Sequence, residues 1–515
     1  MESEKKLRII VLFIVLVLLS SRLCLFTGRN TGLYENEGAD YPSLSLAHGI
    51  NFDFRMGAGF YRFISNDQTT HPGIPFQLVS GIAYKAAALF SDGDKYETAL
   101  SMAVTPDRFW LFNQAAAFLL FLVSLYILYT IGRRNGMITA VMMICAYLSF
   151  SQVWVYGYHH LGIESFTIIL FALLTYFVKK TCTAPERSLY WFAIGAVCGL
   201  CYLNKLHYIA WFAAALVFSA VFSYRYGTKR SLKFFTFLFF GFAATVFCVG
   251  GVYLGFRGLT DMLVQHAMIV SPFENNRSAI IHYGAMTDVL KAYLTKSNLL
   301  IFLESAAVLL LAGYKVLSMR KRSGDGTLPY FVFLSSAMIL SFIFALSRRG
   351  THYLMLFYSI LPFVLAMMAP MISRRSRIVL TTVFAMTAVL LGSVYINYWN
   401  SLHTKSIELH RELDYVRSLP VAENEYRVWA RRTLCMEYYA NSVMEFSNIP
   451  GLRERLNKVM PRESSCTVEV PENINWKYTV YPTSVYPDFS SLPASVRDRS
   501  NIIFDGSFVL VVQKK

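Results

Sequence analysis

The chain has 515 residues, of which 55% are hydrophobic and 16% charged, with a mean hydropathy of +0.42. That balance excludes an ordinary soluble globular protein of this size. The formal net charge of +16 does not point to nucleic acid either: no polar segment carries a basic run with interleaved aromatics, and the cations sit in short clusters beside apolar runs, where anionic lipid attracts them.

In chain order, apolar runs of roughly 17–25 residues predict membrane spans near 9–26, 109–132, 137–154, 162–178, 189–204, 206–223, 234–256, 299–316, 329–347, 351–369 and 378–397. The first reads as an uncleaved anchor, because Ser20-Ser21-Arg22-Leu23 is a poor signal-peptidase site. Lys5-Lys6-Arg8, Arg133-Arg134, Lys179-Lys180, Lys229-Arg230-Lys233, Arg320-Lys321-Arg322 and Arg374-Arg375-Arg377 occupy every second connection. Short basic loops stay in the cytoplasm, so the N-terminus is expected inside and the residues beyond the last span outside. Residues 72–90 are apolar enough to cross, but crossing would invert every later loop. Pro72, Pro75 and Lys85 fit a helix lying at the interface or dipping in and returning.

The expected fold class is therefore mainly α: a polytopic membrane domain of about 11 spans over residues 1–397, with interfacial helices in a long first outside loop (27–107). A small extracytoplasmic α/β domain follows over 398–515. Within it, Asp505-Gly506 between Ile502-Ile503-Phe504 and Phe508-Val509-Leu510-Val511-Val512 signals a hairpin. Cys435 and Cys466 are the pair of cysteines in this exported region, where an oxidising compartment would let them bond. Cys198 and Cys201 form a C-x-x-C inside an apolar helix with no second ligand pair, which argues against zinc or redox chemistry.

The residues with chemical potential cluster on the outside loops. In Tyr34-Glu35-Asn36-Glu37-Gly38-Ala39-Asp40-Tyr41-Pro42, Asp40 suits an N-cap and Pro42 a first turn, with Gly49 as the expected helix stop. His71-Pro72-Gly73-Ile74 closes the same loop. His159-His160 and Glu164 lie in the next outside loop. Adjacent histidines cannot both face one ion from a regular helix, and Glu164 is the one partner acid, so no cofactor is expected to be required, with a divalent metal as the alternative. Lys205 ends a span, where it could snorkel or serve an anion. Arg348, Arg349, His352 and Tyr353 fall at another outer boundary. Glu304 lies inside a span, and an intramembrane acid is a functional candidate by default.

Glu37 with Tyr41, Ala47 and Gly49 resembles the Asp-Glu-x-x-Tyr…Ala…Gly signature of the GT-C membrane glycosyltransferases, in the protein O-mannosyltransferase and lipid A aminoarabinose-transferase branch. His71-Pro72-Gly73-Ile74 is similar to that group's Lys/His-Pro-Pro-Leu element. Gly199-Leu200-Cys201-Tyr202-Leu203-Asn204-Lys205 is similar to its Gly-Leu-Ala-x-Leu-Thr-Lys, and His352-Tyr353-Leu354 with Pro362 to its Arg-Tyr-Leu-Leu-Pro-x-x-Pro. The resemblance covers about residues 1–370. Glu37 stands where the family has Asp, Gly38 where it has Glu, Gly73 where it has a second proline, and His352 where it has Arg.

The resemblance implies inverting transfer of a sugar from a polyprenyl-phosphate donor to a hydroxyl or amine of a lipid, glycan or protein acceptor. Glu37 is then the expected base, with Asp40 as the alternative. Tyr41, His71, His159, Glu164, Lys205, Arg348, Arg349, His352 and Tyr353 are the expected substrate-binding residues, the cations taking the leaving phosphate. The competing readings are a transporter or flippase of a lipid-linked sugar and a non-catalytic glycan-assembly membrane protein. A transporter is expected to show internal repeats and midplane charges; this chain has no visible repeat, and its polar residues gather at one face.

Overall fold

The computed structural model describes residues 40–54, 73–159, 161–226, 228–270, 297–319, 327–346, 354–421, 426–429, 449, 451–459, 464–466, 476–483, 487–492, 494–507 and 509–515. The expected first span, 9–26, lies outside them. The chain divides into two compact units. One comprises Met1–Val17, Arg55–Val79 and Asn113–Tyr395, the other Leu18–Phe54, Ser80–Phe112 and Ile396–Lys515.

The first unit is a bundle of apolar helices. Among the described residues, six helices are long and apolar enough to cross a membrane: Arg108–Arg133, Ile163–Thr183, Leu206–Tyr224, Leu232–Val264, Thr327–Ala345 and Arg374–Tyr398. Met137–Leu148, Ser188–Asn204 and Met355–Met371 are shorter apolar helices. Many side chains on these helices are apolar and exposed, among them Leu119, Tyr126, Phe239 and Val389, as expected of surfaces that meet lipid. This is a multi-pass membrane protein.

Several expected spans are broken. The 137–154 run stops at Leu148 and resumes at Ser151–Val153, which passes into a π-helical turn, Trp154–His159. The 351–369 run is split into Met355–Tyr358 and Leu361–Met368, with Pro362 in the first turn of the second piece. Proline lacks the N–H that would have continued the first helix.

The helix Ile74–Ala88 has 15 residues, about 22 Å at 1.5 Å per residue, too short for a hydrocarbon core of about 30 Å. That length suits the interfacial reading and not a crossing.

In the second unit, the helix Asp40–Phe54 continues through Gly49, which is not the stop the sequence suggests. A Cβ at Gly49 would run into the Tyr84 side chain, and one at Gly81 into Phe52. The two glycines are reciprocal notches that let two helices approach closely. Leu46, Ala47, Ile50, Tyr84, Ala99, Phe109 and Trp110 form a core with Ile449, Leu452 and Leu456. The sequence suggests that the first loop and the C-terminal region are separate; the structure gives them one core.

His48 is buried on this helix, and burial lowers its pKa from 6.5 to about 3. The folded chain therefore leaves His48 neutral where the unfolded chain takes up a proton. Stability is expected to fall as pH drops below 6.5, by up to about 1.4 kcal/mol per pH unit. Thermal unfolding at pH 7.5 and 5 should show the loss, and His48→Gln should flatten it; an unchanged pH slope in that variant would exclude the effect.

The helix Arg374–Ser418 runs for 45 residues, past the boundary expected at 398. Nothing stops it, because no proline occurs between Arg374 and Pro420. Its last turns carry Leu409, Leu413 and Val416, which pack on Tyr478, Val480, Val509 and Val511.

The sheet consists of β1 (Tyr426–Trp429), β2 (Ser464–Cys466), β3 (Trp476–Pro482), β4 (Ser500–Asp505) and β5 (Val509–Lys514), ordered β2-β1-β3-β5-β4. β1 is parallel to β2 and β3; β5 is antiparallel to β3 and β4. Leu510 and Val512 face a second cluster with Val428, Tyr481, Leu492 and Val496. Both faces of β5 are covered, which is why its sequence is continuously apolar rather than alternating. The β4–β5 hairpin forms at Asp505-Gly506 as expected. Glu412 secures it, its carboxylate accepting from Ser507 N–H at 2.7 Å and Val509 N–H at 3.0 Å. Cys435 lies outside the described residues, as does the side chain of Cys466, so the expected disulfide is not placed.

Candidate functional site

Two breaks in the helical bundle of the first unit create the site. Lys205 follows the helix Ser188–Asn204 in extended conformation, φ −157° and ψ 134°, before the 3₁₀ turn Leu206–Tyr208. Glu164 lies in the 3₁₀ turn Ile163–Phe166. The Lys205 ammonium meets a Glu164 carboxylate oxygen, and both side chains are 0% exposed. Lys205 thus does not snorkel, and Glu164 does not open to solvent. Two charges this deep are tolerated only in each other's company.

Neighbouring hydroxyls and amides fix the pair. Thr167 Oγ1 lies 2.6 Å from the Glu164 carbonyl, to which it donates, and 2.5 Å from the Tyr208 hydroxyl. Asn204 Nδ2 donates to the Ile163 carbonyl at 3.0 Å. The Asn204 main-chain carbonyl in turn accepts from Gly73 N–H at 3.2 Å. Asn204 therefore joins three segments that are distant in sequence: the end of the first loop, the turn bearing Glu164 and the helix end bearing Lys205.

Gly73 has φ +56° and lies against Ile163. A proline, the family's usual residue there, has φ near −65° and no N–H, so it could make neither this turn nor this bond. The acceptor is the main-chain carbonyl of residue 204, so the bond depends on the residue at 73 and not on the side chain at 204. The sequence alone assigns Asn204 no role. The available signal was a strongly polar amide between Leu203 and Lys205 at a span end.

The structure thus brings together Glu164, Lys205 and the Gly73-Ile74 part of the loop-closing element. Asp40 and Tyr41 are placed by backbone at the start of the helix Asp40–Phe54, in the second unit. His159 is the last residue of the π-helical turn, and its side chain is not among those described. Glu37, His71, His160, Arg348, Arg349, His352 and Tyr353 lie outside the described residues. Among the described residues, no group of three His, Cys, Asp or Glu side chains is arranged to hold a metal. Cys198 and Cys201 are both free and buried.

No family model matches the chain, and no curated protein matches it. Solved structures do. ArnT from Cupriavidus metallidurans bound to undecaprenyl phosphate aligns over 98% of this chain and 97% of its own, with 13% identity and a TM-score of 0.51. ArnT from the same organism in the apo state aligns over 98% of each chain with 13% identity and a TM-score of 0.47. At that identity the likeness is one of fold: the chain shares the fold of the ArnT structure bound to undecaprenyl phosphate.

Proposed function

We propose that the chain is a membrane glycosyltransferase that moves a sugar from a polyprenyl-phosphate donor to an acceptor hydroxyl or amine, with inversion at the anomeric carbon. One observation carries the reading. Two sequence elements that resemble the GT-C pattern, His71-Pro72-Gly73-Ile74 through Gly73 and Gly199–Lys205 through Asn204 and Lys205, meet at the buried Lys205–Glu164 pair, within a fold shared with a protein solved bound to undecaprenyl phosphate.

The chemistry divides among the residues as follows. Glu37 takes the acceptor's proton as its oxygen or nitrogen bonds to the anomeric carbon. The bond from that carbon to the phosphate oxygen breaks, leaving charge on the lipid phosphate. Lys205 supplies a cation for it, with Arg348, Arg349 and His352 as further donors. An ammonium has three protons, so one contact to Glu164 can hold its position while a phosphate competes for the group. Tyr41, His71 and His159 orient substrate.

Undecaprenyl phosphate titrated onto the purified protein and followed by native mass spectrometry should bind, and Lys205→Ala should weaken that binding at least about tenfold, the worth of one charged hydrogen bond. Equal binding by both proteins would remove Lys205 from the donor site.

The alternation of basic clusters supports chemistry on the extracytoplasmic face. A single cysteine at Asn276 should react with an impermeant maleimide in intact cells, and one at Asp325 should not. Labelling at Asp325 would put the site on the other face.

A further inference from the structure

Glu304 takes no part in the reaction proposed above. It is the eighth residue of the helix Ser297–Met319, about 10 Å from the helix start at 1.5 Å per residue. One carboxyl oxygen accepts from Thr387 Oγ1 at 3.3 Å, on the helix Arg374–Ser418. The same hydroxyl also lies 3.2 Å from the Val383 carbonyl, and a hydroxyl has one proton to give. The second carboxyl oxygen is buried without a hydrogen-bond partner, as is the hydroxyl of Ser305, the next residue of the same helix.

As a strut between two helices this arrangement is inefficient. A serine or glutamine could make the single long contact without placing an acid among hydrocarbon, where ionisable groups are expensive. The carboxyl is a hydrogen-bond acceptor with capacity to spare.

Its surroundings define what it can accept from. Tyr358 lies close enough to interact electrostatically with Glu304 and packs on Phe150 with ring centroids 4.2 Å apart. Phe357, Phe302 and Phe342 extend the aromatic wall. Leu303, on the helix of Glu304, and Met386 and Leu390, on the helix of Thr387, are exposed apolar side chains, as surfaces that meet lipid would be. A ligand reaching Glu304 therefore arrives through the bilayer with an apolar body and a donor group at its end.

We propose that Glu304, Ser305, Thr387 and Tyr358 form a second polar site, within the membrane unit, for the hydroxyl or amine end of a lipid. In the reading proposed above, on which this assignment of the ligand rests, that lipid is the acceptor. The alternative source of the same chemistry is a bulk phospholipid carrying an amine.

The test uses the full chain in nanodiscs of phosphatidylcholine, whose headgroup offers no donor, with and without phosphatidylethanolamine, whose ammonium does. Dicyclohexylcarbodiimide partitions into lipid and adds to a protonated carboxyl. Its central carbon bonds to the carboxyl oxygen, its nitrogen takes the proton, and rearrangement leaves a stable N-acylurea. Peptide mapping should find the adduct at Glu304. Phosphatidylethanolamine should slow its formation at least about threefold, as a competing ligand at twice its dissociation constant would. No adduct, or equal rates in both lipids, would overturn the site whether or not the chain transfers sugar.

A second arm separates the two sources. If the ligand is the acceptor, Glu304→Gln should raise the acceptor KM about tenfold while the donor KM stays within about twofold, and Thr387→Val should shift the same constant less. If both KM values are unchanged while the carbodiimide protection holds, the acceptor assignment is overturned and the site belongs to bulk lipid.

Discussion

Replacing Lys205 with Met is expected to cost the folded chain about 3–5 kcal/mol, because it leaves Glu164 as a buried charge without its cation. Glu164→Met should cost a similar amount for the reciprocal reason. The double variant should recover most of that loss, to within about 1–2 kcal/mol of the parent, since apolar side chains of comparable volume carry no desolvation penalty. This non-additivity is the signature of two side chains that touch, as the 0% exposure of both requires. Equilibrium unfolding of the four purified proteins measures it. Losses that simply add would mean that the two groups are not paired.

The same four proteins separate folding from catalysis. The stable double variant should have lost turnover, because nothing at that position can then meet the leaving phosphate. Full turnover in the double variant would reduce the pair to a structural element.

The second large effect is on the chemical step. Glu37→Gln keeps size and most hydrogen bonding but cannot accept a proton, so turnover should fall on the order of 10²–10⁴-fold. Binding of undecaprenyl phosphate should stay close to that of the parent, since the phosphate is assigned to cations elsewhere in the proposed reaction. Glu37→Asp withdraws the carboxylate by about 1.5 Å and should leave partial activity. If Glu37→Gln stayed within about threefold of the parent while Asp40→Asn was inactive, Asp40 would be the base.

Much of this architecture is legible in one dimension. The apolar runs mark the helices Asp107–Arg133, Thr167–Thr183 and Ser188–Asn204 to within a few residues, because exclusion of charge over a span is a local property. Asp505-Gly506 marks a real hairpin for the same reason.

What the sequence does not disclose depends on a partner. Gly49 looks like a helix terminator by propensity, yet it serves as the notch for Tyr84, a residue 35 positions on. Leu452 and Leu456 look like a surface stripe in a charged helix until they meet the core around Trp110. Glu412 looks like one more acid on a polar helix, and its two bonds to the hairpin come from residues about 95 positions away. At the site, Lys205 and Glu164 stand out separately by type and place, whereas their burial against one another does not. Gly73 reads as a departure from a pattern, and only the hydrogen bond from its N–H to the main-chain carbonyl of residue 204 shows what a proline there would lose.

Transfer of a sugar out of a lipid-linked pool is the central claim, and mass spectrometry of the lipid-linked and surface glycans tests it whatever the donor and acceptor are. Cells lacking the gene should lose one sugar increment from a surface glycan, lipid or glycoprotein and accumulate the matching polyprenyl-phosphate sugar. The parent gene should restore both, and the Glu37→Gln gene, expressed at equal level in the membrane, should restore neither. Identical glycan and lipid-linked profiles in cells with and without the gene would contradict the account.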